Sequence, residues 1–494
     1  MNQTKLAQEV SQIVVEVAKS RGDLWWAFSF SSKNRFYAPL FQIFKPARLK
    51  LSWFETLVSA LKFIFAFTVK VLLTRLNNGS KFRKIKLHKN VVVIKTFSFE
   101  KSNYEDFVDP FFPGLSLWLE SKGKEVLTFY EPTGSLSSVC RKNKNQQMIG
   151  FYDVAQFYDL LLVLTDVMKS FAFSFFDSLD IKSSNVDKAS LNKLVMYEHF
   201  SPATLQARLN YYIYKRLINK TRIERFIYTY ENNSWERMAL LAIKEKPEIK
   251  TIGYQHNVLP QASINMYLSP QESQVSPCPD NVLTTGERTR DILLSKSALS
   301  KESILVACAL RYDYLFKMKA FPRNKNKVAL LALEGVWQVL PILEKLNDIS
   351  TSLGDWKIII RCHPVLPIEK MSEQLSFNYK ETEQFLVSKD VSLIEDIERS
   401  SSVIYWGSTV GLESVKLGRP VVNIAYGELN FDPLYELSQF KSSWGFDNFL
   451  RDVLESIISI DDEEYFKQLR VANGYIDTYF KEVNEDNLEV FLQP

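Results

Sequence analysis

An α/β protein of two Rossmann-like halves facing one central cleft is predicted by three features of this 494-residue sequence. Short apolar, β-branched runs alternate with stretches of helical period, which is the order of parallel βαβ units. The alternation restarts after a basic, proline-containing bridge, FKMKAFPRNKNK at 316–327. The chain is also too long for one ordinary core, so two domains are the expectation.

Taken in order, the N-terminal MNQTKLAQEVSQIVVEVAKS carries charges through its apolar positions and lacks a signal-peptide core, so export is not indicated. LWWAFSF reads as a first short strand. The segment 54–76, FETLVSALKFIFAFTVKVLLTRL, is long enough to span a bilayer, but Lys62 and Lys70 interrupt it. It reads either as a helix buried against a sheet with its lysines at the rim, or as a helix lying on a membrane surface. The basic run KFRKIKLHK at 81–89 is then either a solvated face or a contact for anionic headgroups.

NVVVIKTFSF and EVLTFY supply the next strands, and RFIYTYE, IKTIGYQH and NVLTTGE follow them. Between these groups, the region near 150–220 reads as helices with an apolar face, an insertion or cap on the first domain. Beyond the bridge come KVALLALEG, WKIIIRCHP, SSVIYWGS and RPVVNIAYG. The expected domains are therefore 1–318, carrying the helical insertion, and 319–494, whose final helices cross back. Ligands of open α/β sheets bind beyond the carboxyl ends of the strands, so residues placed there are the candidates.

Lys+Arg 61 against Asp+Glu 57 is too balanced for a protein that neutralises phosphates along nucleic acid. The 4 cysteines, Cys140, Cys278, Cys308 and Cys362, show no ligand spacing, which argues against a metal site or disulfide framework and for a reducing cytoplasm. No metal and no cofactor are expected.

Two of only 4 histidines close apolar strands: His256 in GYQHNVLP and His363 in RCHPVLP, where Pro364 stops the strand. His363 is placed to donate to a phosphoryl oxygen and to stabilise a leaving phosphate. In SSVIYWGSTVGLESVKLGRP, Ser408 and Thr409 open a helix whose free N–H groups suit a phosphate, while Glu413, one turn in, is placed to accept from ribose hydroxyls. In RFIYTYENNSWER, Glu231 ends a strand and is the candidate general base or nucleophile; Glu236 is explained by the helix dipole. His256, on the neighbouring strand end, pairs with Glu231 or binds an acceptor hydroxyl, and faces His363 across the cleft.

The order YENNSWER, GYQHNVLP, ALRYDYL, RCHPVLP and STVGLESVKLGRP resembles bacterial surface-carbohydrate (capsule and O-antigen) glycosyltransferases of GT-B type. The His-Pro and Ser/Thr elements are similar to those of polysialyltransferases, capsule Kdo transferases and CDP-glycerol glycerophosphotransferases. That resemblance implies that His363, Pro364, Ser408, Thr409 and Glu413 hold the nucleotide of the donor. Two departures stand out. The acidic, glycine-containing motif of the polysialyltransferases has no counterpart in the first half, since Glu334-Gly335 lies in the second, and Asn257 replaces the glycine of a Gln-His-Gly form, where asparagine's tolerance of left-handed backbone would keep the turn.

The resemblance implies transfer of a sugar from a nucleotide donor, first a CMP-linked ulosonic acid such as Kdo or a sialic-acid-like sugar, to a glycan or glycolipid acceptor. Glu231 or His256 would deprotonate the acceptor in an inverting reaction; Glu231 would form an adduct in a retaining one. The alternatives are polyol-phosphate transfer from a CDP-linked donor and a non-catalytic scaffold held at the membrane. A cytoplasmic protein, peripheral on the inner membrane through 54–89, is expected.

Overall fold

A computed structural model describes residues 3–34, 36, 51–79, 81–85, 90–99, 107–133, 143, 145, 147–176 and 186–493. Residues 86–89 of the basic run, with His88, and also Cys140, lie outside the described residues.

The first sheet is formed by β1 (Val91–Ser98), β2 (Glu125–Pro132), β3 (Met148–Gly150), β4 (Ile223–Thr229), β5 (Lys250–Tyr254), β6 (Asn281–Thr284) and β7 (Ile304–Val306), in the order β3-β2-β1-β4-β5-β6-β7. The second contains β8 (Val328–Ala332), β9 (Lys357–Arg361), β10 (Phe385–Val387), β11 (Ser402–Tyr405), β12 (Val421–Ile424) and β13 (Lys441–Trp444), in the order β10-β9-β8-β11-β12-β13. Every pairing in both is parallel. Parallel strands are covered on both faces, which is why they read as unbroken apolar runs such as VVVI and KIII. The strand order reverses between β1 and β4 in one sheet and between β8 and β11 in the other, and such switch points open a crevice at the carboxyl edge.

LWWAFSF is not a strand. Asp23–Ala27 form a 3₁₀ turn with Leu24, Trp25, Trp26 and Ala27 all buried. An apolar run without alternation fits a buried turn as well as a buried strand. Here the backbone is satisfied locally, Trp25 N–H bonding the Gly22 carbonyl and Phe28 N–H that of Trp25, while the Trp25 indole donates to Val14 O at 3.1 Å.

The Trp53–Asn78 helix opens on Ser52, whose hydroxyl accepts from Glu55 N–H. It does not lie against a sheet; it packs one side, with Ala60, Phe67 and Val71 buried, on the Phe151–Val154 and Pro202–Lys220 helices.

After the second sheet the Asp462–Tyr479 helix packs on both the Val410–Lys416 and Glu287–Lys296 helices. The chain then joins the first sheet: Lys481 N–H bonds Thr285 O, Ala309 N–H bonds Lys481 O, and Phe491 enters the core beside Ile252 and Leu283. Gly286 is the tight point, because a Cβ there would stand 2.5 Å from the Thr478 and Tyr479 carbonyls. Gly286→Ala is expected to cost about 2 kcal/mol of stability, as overpacking against immobile backbone does, measured by urea denaturation.

Candidate functional site

β4 delivers Glu231 at the first switch point, and the turn after it is held from below. Asn232 adopts φ 59°, which asparagine tolerates better than most residues. Its side chain accepts from Arg237 Nε at 3.0 Å and donates to Asn265 O at 2.7 Å. Glu236, fully buried, accepts from the N–H groups of Glu231 and Asn232, the latter at 2.8 Å. Desolvation first, and then the charge of Glu231, push its pKa well up, toward the neutral acid. Glu236 is therefore a positioning group for Glu231, a role beyond the helix-dipole effect expected from sequence.

The Glu231 carboxylate accepts from Asn257 Nδ2 at 2.8 Å and Asn233 Nδ2 at 3.0 Å, and His256 Nε2 lies 3.8 Å from the same oxygen that Asn257 holds. Asn257 thus has a function that its replacement of glycine did not suggest. Its φ is not positive, so left-handed tolerance is not what keeps it there; its amide orients the carboxylate. Burial lowers the His256 pKa, opposed by Glu231 and assisted by Arg311, and the imidazole stays neutral near pH 7. Glu231 opens into a cavity of about 90 Å³ whose wall includes Asn34, Gln255, Asn257 and Asn265. A carboxylate among amides is suited to polyhydroxylated ligands.

On the second sheet the switch point is closed by one bond: Glu334, just after β8, accepts from Gly407 N–H, just after β11, at 2.6 Å. Its neighbour Gly335 leaves room for the loop after β9, since a Cβ there would meet His363 Nδ1 at 2.7 Å and Val365 Cγ2 at 2.4 Å. The Glu334-Gly335 pair, set aside from sequence as lying in the wrong half, shapes this side of the cleft. His363 and Pro364 are exposed at the rim. His363 Nδ1 accepts from Val365 N–H at 3.3 Å, which leaves the proton on Nε2, pointing outward as a donor. The protein behind it, then Arg311, lower its pKa, so it acts as a neutral donor and not as a cation.

Ser408 and Thr409 are half-buried at the start of the Val410–Lys416 helix, and Ser408 Oγ accepts from Val410 N–H at 3.2 Å. Glu413 is buried and accepts from the Tyr314 hydroxyl. Desolvation raises its pKa, while the hydroxyls of Tyr314 and Thr409 and the charges of Arg311 and Arg361 pull it back.

Arg311 is the residue that sequence reading missed. It follows β7 in ALRYDYL, is half-buried, and stacks over Phe111 at 5.2 Å; Phe111 in turn meets the His256 ring edge-on at 4.9 Å. Its charge acts on His256 and His363, favouring their neutral forms, and on Glu413, favouring the carboxylate. It has no ion-pair partner among the described residues. The available signal was an arginine just past an apolar strand, the criterion that picked out His256 and His363.

The lobes touch above the cleft: Ala262 N–H bonds Asn430 O at 2.9 Å, Asn430 bonds Gln261 at 3.1 Å, and Phe36 stacks on Phe431 at 5.4 Å. Among the described residues no group of three or more His, Cys, Asp or Glu side chains could hold a metal ion.

No protein-family model and no curated protein matches the chain. It is similar in fold to solved glycosyltransferases and UDP-GlcNAc 2-epimerases. CalG4, the calicheamicin glycosyltransferase, aligns with TM-score 0.46 and 10% identity over 82% of this chain and 99% of that one. The glycotransferase of kitacinnamycin gives 0.44 and 13% over 79% and 96%. UDP-GlcNAc 2-epimerase from Neisseria meningitidis, bound to UDP-GlcNAc, gives 0.41 and 12% over 79% and 97%.

Arg311→Met is expected to raise the pKa of both His256 and His363. With 4 histidines in the chain, imidazole proton NMR titration resolves them. His199, buried and lowered to about 4 from 6.5, and His256 both bind protons less readily folded than unfolded. Unfolding therefore takes up protons, and stability is expected to fall as pH drops from 6.5 toward 4, readable from denaturation midpoints across that window.

Proposed function

We propose that this chain is a GT-B-type glycosyltransferase that moves a sugar from a nucleotide donor to a bacterial surface glycan, of the capsule and O-antigen kind it resembles in motif. One observation supports the reading: Arg311 stacks over the Phe111 ring that meets His256 beside Glu231, has no ion-pair partner among the described residues, and acts through its charge on His256 of one lobe and His363 of the other. An anion placed there neutralises Arg311 and accepts from His363 Nε2–H, as the phosphate of a nucleotide does. In this reading Ser408, Thr409 and Pro364 complete the hold on the donor phosphate, and Glu413 serves the ribose.

The acceptor hydroxyl enters the amide-lined cavity on the first lobe and loses its proton to Glu231. The neutral His256 beside Glu231 is a second base for the same proton, or orients it. A retaining course would use Glu231 as nucleophile. In this reading closure of the two lobes, which meet at Gln261 and Asn430, would exclude water from the donor. Arg311 and His363 offset the leaving-group charge, and the proposed reaction calls for no cofactor beyond the donor.

A CMP-linked ulosonic acid is the first donor to test, because its sugar carboxylate gives Arg311 a further partner. Polyol-phosphate transfer from a CDP-linked donor uses the same phosphate-binding parts. In this reading the protein works in the cytoplasm, peripheral on the inner membrane through 54–89.

Thermal stabilisation against CMP, CDP, UDP, GDP and dTDP is the direct test, since a ligand bound only by the folded state raises its melting point. A cytidine-selective shift, lost in His363→Ala, is expected; no shift with any nucleotide moves the reading to a non-catalytic scaffold. Glu231→Gln is expected to retain nucleotide binding while kcat falls roughly 10²- to 10⁴-fold, measured with the donor that the panel selects.

A further inference from the structure

The first lobe carries an apolar surface that stands exposed among the described residues. On the Trp53–Asn78 helix, Phe54, Leu61, Phe65 and Leu76 are 65–77% exposed and recur at helical spacing opposite the buried Ala60, Phe67 and Val71. The Phe157–Phe176 helix repeats the arrangement, burying Leu160, Val163 and Val167 while Leu161, Phe175 and Phe176 stand 67%, 69% and 87% exposed. The helices lie side by side and antiparallel: Arg75, near the end of one, is 5.2 Å above the Phe157 ring that begins the other, and Trp53 meets Phe171 edge-on at 6.1 Å at the opposite end. The two outward stripes thereby belong to neighbouring helices and form one apolar raft, unlike the scattered apolar residues of an ordinary soluble surface.

We infer that these two helices form a docking face for an anionic phospholipid bilayer, lying in its interface with both stripes among the acyl chains. The rim charge selects that occupant. Lys62, Arg75, Arg83, Lys84 and Lys169 are exposed around the raft. Of the acids on the two helices, Asp159 and Asp166 are already paired with Arg216 and Arg208, leaving Glu55. An apolar face with a cationic border suits anionic headgroups above acyl chains; a protein interface also has an apolar core and a polar rim, so it is the prevailing positive sign of the exposed rim charge that favours the bilayer. The 26-residue Trp53–Asn78 helix meets the length for a span, but its other side is packed along the lobe, so it lies flat and does not cross. The Phe157–Phe176 helix, expected only as part of an insertion, supplies half of the face. That the acceptor is carried on a lipid in that membrane rests on the proposed transferase; the docking does not.

The test is co-sedimentation of the full chain with vesicles of phosphatidylcholine, with and without phosphatidylglycerol. Binding to the anionic vesicles is expected, reduced at least tenfold without phosphatidylglycerol and weakened by 0.5 M salt. Leu161→Glu and Phe65→Glu, both outward-facing, are expected to lower it at least tenfold each while leaving melting temperature and nucleotide shift unchanged. That unchanged shift separates failure of docking from failure of the transferase reading. Failure of the wild-type chain to bind anionic vesicles, or a Leu161→Glu variant that binds undiminished, overturns the inference. So does light scattering that shows a dimer dissociated by Phe65→Glu with no vesicle binding. Should a variant misfold, the lipid and salt dependence of the wild-type chain still decides.

Discussion

Because every strand in both sheets runs parallel to its neighbours, each lobe has a single carboxyl edge on which loops can be functional, and within that edge the switch point is where loops diverge and leave a crevice. The chain puts its chemistry at those two places. Glu231 follows β4, at the β1–β4 switch; Gly407, Ser408 and Thr409 follow β11, at the β8–β11 switch, tied to β8 through Glu334. The candidate site is thus a consequence of topology before it is one of side chains.

Within that frame, electrostatics divides the work. Arg311 makes no ion pair with any described residue, and an arginine so placed is costly unless water or a ligand solvates it. Its cost is visible in the neighbouring imidazoles, both held toward the neutral form partly by its charge. A neutral His363 with its proton on Nε2 is a donor that needs no charge, and a neutral His256 beside Glu231 is free to receive a proton. The same field explains how a buried Glu413 is accommodated: Arg311 and Arg361 supply charge, and Tyr314 a hydrogen bond.

Where the fold was legible in the sequence, the reason is burial on both faces. VVVIK, KVALLAL and WKIIIR are continuous apolar runs because parallel strands have helices on either side. LWWAFSF has the same composition and a different backbone, since only its neighbours decide whether such a run pairs or curls. Strand-end residues Glu231, His256 and His363 could be read because their place follows from strand boundaries. Arg311 met the same strand-end criterion, but its significance arises only when β7 is brought near Phe111 and His256. Asn257 and Glu334 were misjudged for the same reason, their partners Glu231 and Gly407 being 26 and 73 residues away.

The helices at Trp53–Asn78 and Phe157–Phe176 show a different limit. A stripe of apolar residues identifies a buried side only when the opposite side is polar. Both helices are apolar on two sides, so periodicity gives no direction, and composition alone serves a core helix, a span or an interfacial helix equally. Packing breaks the tie by assigning Val71 and Val163 to the lobe. What remains outside is a second apolar side on each helix, and the contacts between Arg75 and Phe157 and between Trp53 and Phe171 bring those sides together on one surface. Two such stripes on separate helices would each be a local exposure; side by side, they are a single constraint on what this lobe rests against.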